Sequence, residues 1–319
     1  MAYAITNPAT GVVEREFPSA TAAEIDSAIT RAHNAHLSWR EWSVADRAKI
    51  LATVAALYDE RKDELAAIIA REMGKPVGQG RGEAWFVGEI YKFYAEHGPS
   101  HLVDEDMHPM SGGQAIVRSA PLGVLLGIMP WNYPYYQVAR FAGPNLLLGN
   151  TIILKHASNC PESALAQEQI FRDAGLPDGA YVNLFVDSKD VDRIIADPRV
   201  HGVSLTGSER AGAAVAASAG RSLKKVVLEL GGSDPFIVLD DVNLADTAAA
   251  AASGRMSNAG QACTAAKRFI VLDAVYDRFV DAFAAKLQTY VAGDPQDPTT
   301  NFGPLSSEGA VLELLEQVD

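Results

Sequence analysis

The chain has 319 residues, 48% of them hydrophobic and 21% charged. This fits one large or two ordinary globular domains and excludes wholesale disorder, collagen and low-complexity architectures. With 27 basic and 40 acidic residues the net charge is −13, a poor balance for non-specific nucleic-acid binding, which needs clustered Lys and Arg. The two cysteines, Cys160 and Cys263, are too few for a disulfide framework and point to a reduced, cytoplasmic setting. No secretory signal is visible at the N-terminus. The longest apolar run, Val124 to Trp131, is too short to span a bilayer.

In chain order, Thr21-x-x-Glu24 is a capping box, followed by Ile25, Ala28, Ile29 and Ala32 on one helical face. A second helix starts near Ser43 and continues through Leu65, Ile68 and Ile69, until Gly74-Lys75-Pro76 stops it. A third is expected from Glu83 to Glu96. Residues 101–113 are polar, and Ala115-Ile116-Val117-Arg118 reads as a strand, so this region is expected to be a hairpin standing off the body. From residue 122 short apolar strands alternate with helices. The strands are Gly123–Ile128, Asn150–Lys155, Val203–Thr206 and Val226–Leu230, and the helices Pro134–Leu148, Pro161–Ala174 and Ala211–Ala219. Repeated β-α-β order predicts an α/β fold with a doubly wound parallel sheet. A further αβ segment follows Gly231-Gly232, with a helix at Leu244–Met256, a strand at Phe269–Leu272 and a helix at Tyr276–Val291. The sequence stops at Asp319 within a helix-like stretch.

Several residues could carry chemistry. Cys263 follows the small residues of Asn258-Ala259-Gly260-Gln261-Ala262, where a thiol is either an exposed nucleophile or a buried structural side chain. Glu229 ends an apolar strand beside two glycines, as a general base or a solvated strand-end acid. Asn132 can donate to an oxyanion or cap the helix that follows. Thr206-Gly207-Ser208 leads into a helix N-terminus of the kind that attracts phosphate, although it is not a G-x-G-x-x-G turn. The histidines are scattered and no C-x-x-C spacing is present, so no metal site is expected. P-loop and G-x-S-x-G motifs are absent as well.

Taken in order, Pro130-Trp131-Asn132-Tyr133-Pro134, Lys155, Thr206-Gly207-Ser208, Glu229-Leu230-Gly231-Gly232 and Gly260-Gln261-Ala262-Cys263 closely resemble the aldehyde dehydrogenase superfamily. The resemblance runs from Asn7-Pro8-Ala9-Thr10-Gly11 through Gly303-Pro304. It is greatest to the bacterial NADP-dependent succinate-semialdehyde dehydrogenases. It implies a Rossmann-like dinucleotide-binding domain over residues 1–230, with a protruding hairpin segment near 100–121, and the N-terminal part of an αβ catalytic domain over residues 231–319. It also implies that Cys263 adds to the aldehyde carbon and that Asn132 and the Cys263 amide hold the oxyanion. Glu229 then activates the water that hydrolyses the thioester.

The cofactor residues implied are Trp131, Asn132, Lys155, His156, Ala157, Ser158, Gly207, Ser208 and Leu230. Members that prefer NAD carry an acidic residue three positions after the lysine that corresponds to Lys155. Ser158 stands there, so NADP is expected, with NAD as the alternative. Arg140 matches one of two arginines that hold a substrate's distal carboxylate, and Ser257 occupies the place of the other. Succinate semialdehyde is therefore the expected substrate, with other short aldehydes as alternatives. Chains of the superfamily continue well beyond residue 319, and Phe302-Gly303-Pro304 does not match their E-x-F-G-P segment. The resemblance thus carries a second expectation, a C-terminally truncated, non-catalytic dinucleotide-binding fragment, and a homo-oligomer for a full-length form. An acylating member that passes its thioester to coenzyme A is disfavoured by Glu229.

Overall fold

The computed structural model describes residues 3–110 and 112–318. It opens with an antiparallel pair, β1 (Tyr3–Thr6) and β2 (Val13–Phe17), which the sequence pattern does not announce because four of the five β2 side chains are exposed. Helix α1 (Ala22–Trp39) starts at the expected capping box. The Glu24 amide donates to Thr21 Oγ1 at 3.3 Å, and the Thr21 amide donates to Glu24 Oε2 at 2.7 Å. The second helical stretch is two helices, α2 (Val44–Glu60) and α3 (Lys62–Met73), broken at Arg61. Gly74 then takes φ +81°, the left-handed cap that a side chain would resist. Helix α4 (Val77–His97) begins six residues before the expected start at Glu83. Gly78, Gly80 and Gly82 weaken its first turns as isolated helix. Tertiary contact restores them: a Cβ on Gly80 would lie 3.0 Å from Ala66, so glycine lets α4 close onto α3.

The expected hairpin is present as β3 (Glu105–Met107) and β4 (Ala115–Val117), paired antiparallel with every side chain exposed. The alternating region then forms β5 (Val124–Met129), α5 (Tyr136–Leu148), β6 (Thr151–His156), α6 (Pro161–Asp173), β7 (Tyr181–Asn183), α7 (Ser188–Ala196), β8 (Val200–Thr206), α8 (Glu209–Arg221) and β9 (Lys225–Glu229). The five strands make one parallel sheet in the order β7-β6-β5-β8-β9, as the β-α-β pattern predicts. Strand β7 and helix α7 lie in a stretch whose sequence pattern announces neither element. Strand β7 is three residues long, and α7 is polar apart from its buried Val191, Ile194 and Ile195.

Both faces of this sheet are covered. Leu125, Met129, Ile152 and Leu154 pack with α2, α4, α5 and α6, whereas Val124, Leu126 and Ile153 pack with α1, α7 and α8. Each such aliphatic side chain contributes roughly 2 kcal/mol on full burial. Because the strands are parallel, Met129, His156, Thr206 and Glu229 all end at one edge, the position at which sheets of this kind carry their sites. The chain continues through β10 (Asp234–Val238), α9 (Leu244–Met256), β11 (Ala266–Val271), α10 (Tyr276–Leu287) and α11 (Glu308–Val318). Strands β10 and β11 pair in parallel as a separate two-stranded sheet. Among the described residues no helix is long and apolar enough to cross a membrane.

His156 closes β6 with its imidazole inside the protein. The Ala157 amide donates to Nδ1 at 2.8 Å, so Nε2 carries the proton and donates to the Pro134 carbonyl at 2.9 Å. Burial pushes its pKa down to about 4, the Pro134 bond opposing. The unfolded chain takes up this proton near pH 6.5 and the folded chain only near 4, so stability falls as pH drops through that window. Replacing His156 with Gln is expected to remove about 3 kcal/mol of this acid destabilisation. Urea midpoints at pH 7 and pH 4 (approximate values set by the window) measure it. Equal acid sensitivity in both proteins would contradict the assignment.

Candidate functional site

Cys263 lies beyond an unusual turn. After α9, the residues Asn258, Ala259 and Gly260 take φ of +52°, +54° and +78°, and left-handed backbone at the two non-glycine residues costs about 1–2 kcal/mol each. Hydrogen bonds hold the turn in place. The Asn258 amide donates to Gln79 Oε1 at 2.9 Å, and Gln261 Nε2 donates to the Asn258 carbonyl at 3.0 Å. The Ser306 amide donates to Gln261 Oε1 at 2.9 Å. This clamp leaves Cys263 partly exposed, whereas Cys160 is buried, and burial pushes the Cys160 thiol well up.

Asn132 comes to this turn from the loop after β5. Its Nδ2 donates to the Gln261 carbonyl at 3.0 Å. Its own carbonyl accepts from Asn258 Nδ2 at 2.9 Å and from Lys75 Nζ at 2.8 Å. Lys75 is buried and ion-paired with the equally buried Glu83, and its amine lies 3.8 Å from the centre of the Tyr133 ring. The other oxygen of Glu83 accepts from the amides of Tyr135 and Tyr136, at 2.9 and 3.1 Å, at the start of α5. Burial lowers the Lys75 pKa, and Glu83 opposes the shift. Sequence reasoning used Lys75 only as part of a helix stop and Glu83 as a helix start. One signal could have singled them out: Glu83 shares its helical face with Gly80, Ala84, Val87 and Tyr91, an apolar stripe in which a lone charge needs a partner.

Two cavities meet at the thiol. One of about 750 Å³ is lined by Trp131, Asn132, Gly207, Ser208, Leu230 and Cys263, among others. The other, about 510 Å³, is lined by Phe86, Tyr133, Tyr136, Arg140 and Cys263 with further residues. In the first, the Gly207 amide donates to the Glu229 carbonyl at 2.9 Å, and Ser208 caps α8 by accepting from the Ala211 amide at 3.3 Å. Leu230 packs where a Cβ on Gly212 would stand, within 2.6 Å.

Lys155, Ala157 and Ser158 lie at the end of β6, partly buried, and line neither cavity. Burial lowers the Lys155 pKa while Asp187 raises it, and its amine stands 5.8 Å from the Tyr3 ring. The Ser158 carbonyl accepts from the Ala4 amide at 3.0 Å. The His156 imidazole is fully buried against Pro134.

Glu229 is engaged by Arg140. It lines neither of the two cavities and forms an ion pair with Arg140 at 2.8 Å, above a third cavity of about 330 Å³. Arg140 borders this third cavity and also the one containing Tyr133 and Cys263. The guanidinium expected to hold a substrate carboxylate thus already holds a carboxylate of its own chain.

The model of the aldehyde dehydrogenase family matches residues 1–319. A succinate-semialdehyde dehydrogenase [NADP(+)] of Deinococcus radiodurans is 54% identical over 99% of this chain and 66% of its own length. One from Mycobacterium avium is 44% identical over 100% of this chain and 68% of its own. The chain therefore spans about two thirds of the length of these relatives. The crystal structure of succinic semialdehyde dehydrogenase from Streptococcus pyogenes, in complex with NADP+ as the cofactor, superposes with a TM-score of 0.97. It is 40% identical and covers 99% of this chain and 70% of that one.

The exposure difference between the two thiols has a direct consequence. Iodoacetamide is expected to label one thiol per native chain, at Cys263, and the Cys263→Ala variant to label at none. Peptide mass mapping reads both, and labelling of Cys160 in the native protein would contradict the placement.

Proposed function

We propose that this chain, which belongs to the aldehyde dehydrogenase family, oxidises an aldehyde to its acid with NADP, succinate semialdehyde being the preferred substrate. The observation that carries the reading is the position of Cys263 where two cavities meet. A nucleophile so placed can face an aldehyde on one side and a hydride acceptor on the other.

The larger cavity suits a dinucleotide. It is lined by Gly207 and Ser208 at the N-terminus of α8, where backbone amides favour phosphate, and by Trp131 and Leu230 as apolar walls. When bound, NADP supplies the acceptor for the hydride. Lys155 and Ser158, at the end of β6, are assigned to its ribose side. A 2′-phosphate there meets an amine and a hydroxyl, with no acidic residue from 155 to 158. Residues 1–230 form the dinucleotide-binding unit in this reading, and 231–319 belong to the catalytic unit.

The Cys263 thiol gives up its proton to water as its sulfur forms the bond to the aldehyde carbon and the carbonyl π electrons move onto oxygen. The Asn132 carboxamide and the Cys263 amide hold that oxyanion. Loss of hydride from the adduct leaves a thioester on Cys263. Glu229 then takes a proton from water, which attacks the thioester carbon, and the thiolate leaves. Glu229 must first part from Arg140. A carboxylate-bearing aldehyde offers the Arg140 guanidinium a replacement partner, which favours succinate semialdehyde over an uncharged analogue.

NADPH formation by the purified protein with NADP and succinate semialdehyde tests the reading. Cys263→Ala is expected to abolish it, and unchanged turnover would refute the nucleophile. Dinucleotide binding without any turnover would favour a non-catalytic dinucleotide-binding role. Ser158→Glu is expected to lower the preference for NADP over NAD by about tenfold or more, through charge repulsion. An unchanged ratio would remove Ser158 from the 2′-phosphate site.

A further inference from the structure

We infer that the buried Lys75–Glu83 pair is a positioning unit that sets where the Asn132 carboxamide stands relative to Cys263. The inference rests on the aldehyde-oxidising reading and extends it to two residues outside the reacting groups. The pair grips the loop after β5 at both ends. Lys75 donates to the Asn132 carbonyl at 2.8 Å, while Glu83 accepts from the Tyr135 and Tyr136 amides at 2.9 and 3.1 Å. Between these anchors the Tyr133 ring lies over the Lys75 amine. The grip then passes to the cysteine loop. Asn258 Nδ2 shares the Asn132 carbonyl with Lys75 and also reaches the Gln261 carbonyl at 3.3 Å, the same carbonyl that Asn132 Nδ2 bonds at 3.0 Å.

The location of the pair argues against a purely local role. A buried ion pair contributes little net stability over an apolar replacement, but it fixes geometry through directional bonds. Here each charged group has its hydrogen bonds directed at the loop that carries Asn132, and not only at its partner. Asn132 Oδ1 is itself buried with no hydrogen-bond partner, so the orientation of this carboxamide is set through its nitrogen and its backbone. Loss of the pair is therefore expected to displace the Asn132 donor while leaving the dinucleotide cavity intact. Neither Lys75 nor Glu83 lines that cavity.

The test uses Glu83→Gln, which keeps an acceptor for the two amides, and Lys75→Met/Glu83→Gln, which removes both charges together. Each is made alone and on an Asn132→Ala background. In the otherwise native chain the double substitution is expected to lower kcat about tenfold or more, with the KM for NADP changed less than about twofold. On the Asn132→Ala background it is expected to cause little further loss, because the unit acts through Asn132. Hydrogen exchange gives a readout independent of activity: amides of 132–136 and of 258–263 should both exchange faster. Faster exchange in 132–136 alone, an unchanged kcat, or a full additional loss without Asn132 would each overturn the inference. If the double variant does not fold, Glu83→Gln alone decides by the same criteria. Turnover that survives Cys263→Ala would instead defeat the underlying reading, so the two failures are distinguishable.

Discussion

A lysine amine cannot remain charged in the interior unless other groups replace its lost hydration. Lys75 meets this requirement with the Glu83 carboxylate, the Asn132 carbonyl and the face of Tyr133. These partners come from α4 and from the loop after β5, so the demands of one buried charge tie the helical N-terminal part to the carboxyl edge of the sheet. The site depends on that tie. Asn132 stands on the anchored loop, and Cys263 follows a strained turn whose left-handed residues are held by Gln79 of α4 and by Asn132 itself. Without this polar knot the turn at Asn258 and Ala259 would lose part of what offsets its backbone cost.

The parallel sheet supplies the remaining requirement. Its two covered faces fix five strands in one direction, which gathers the ends of β5, β6, β8 and β9 on a single edge. Loops from that edge bring Trp131, Asn132, Gly207, Ser208 and Leu230 to one cavity. The segment carrying β10 and β11 brings Cys263 to the same place from a separate sheet. The placing of a cysteine between two cavities is thus a consequence of the arrangement of the two sheets around one polar knot.

Much of this was legible in the residues. Apolar runs separated by capped helices predicted the parallel sheet, and Thr21-x-x-Glu24 marked the start of α1. Short or polar elements escaped notice: β2 exposes nearly all its side chains, and β7 has three residues. The early start of α4 was hidden by its glycines, whose low helix propensity is overridden by packing on α3. Among the candidate site residues, Asn132 and Cys263, which the order of motifs singles out, line one cavity. Local sequence could not show that His156 turns inward, since its bond to Pro134 spans 22 residues. Nor could it show that Glu229 rests on Arg140, an ion pair between groups on different elements. The Lys75–Glu83 pair was missed for a related reason. The two residues are eight positions apart, but what makes them important is a third partner, Asn132, much further along the chain.

The most direct test of the account is to catch the acyl group on sulfur. The Glu229→Gln variant, in which hydrolysis of the thioester is slowed, is mixed with NADP and succinate semialdehyde, quenched in acid and digested for mass spectrometry. The account predicts a succinyl adduct on the peptide that contains Cys263, formed only when NADP is present. Oxidation of the aldehyde with an unmodified Cys263 peptide, or with the adduct on another residue, would contradict it.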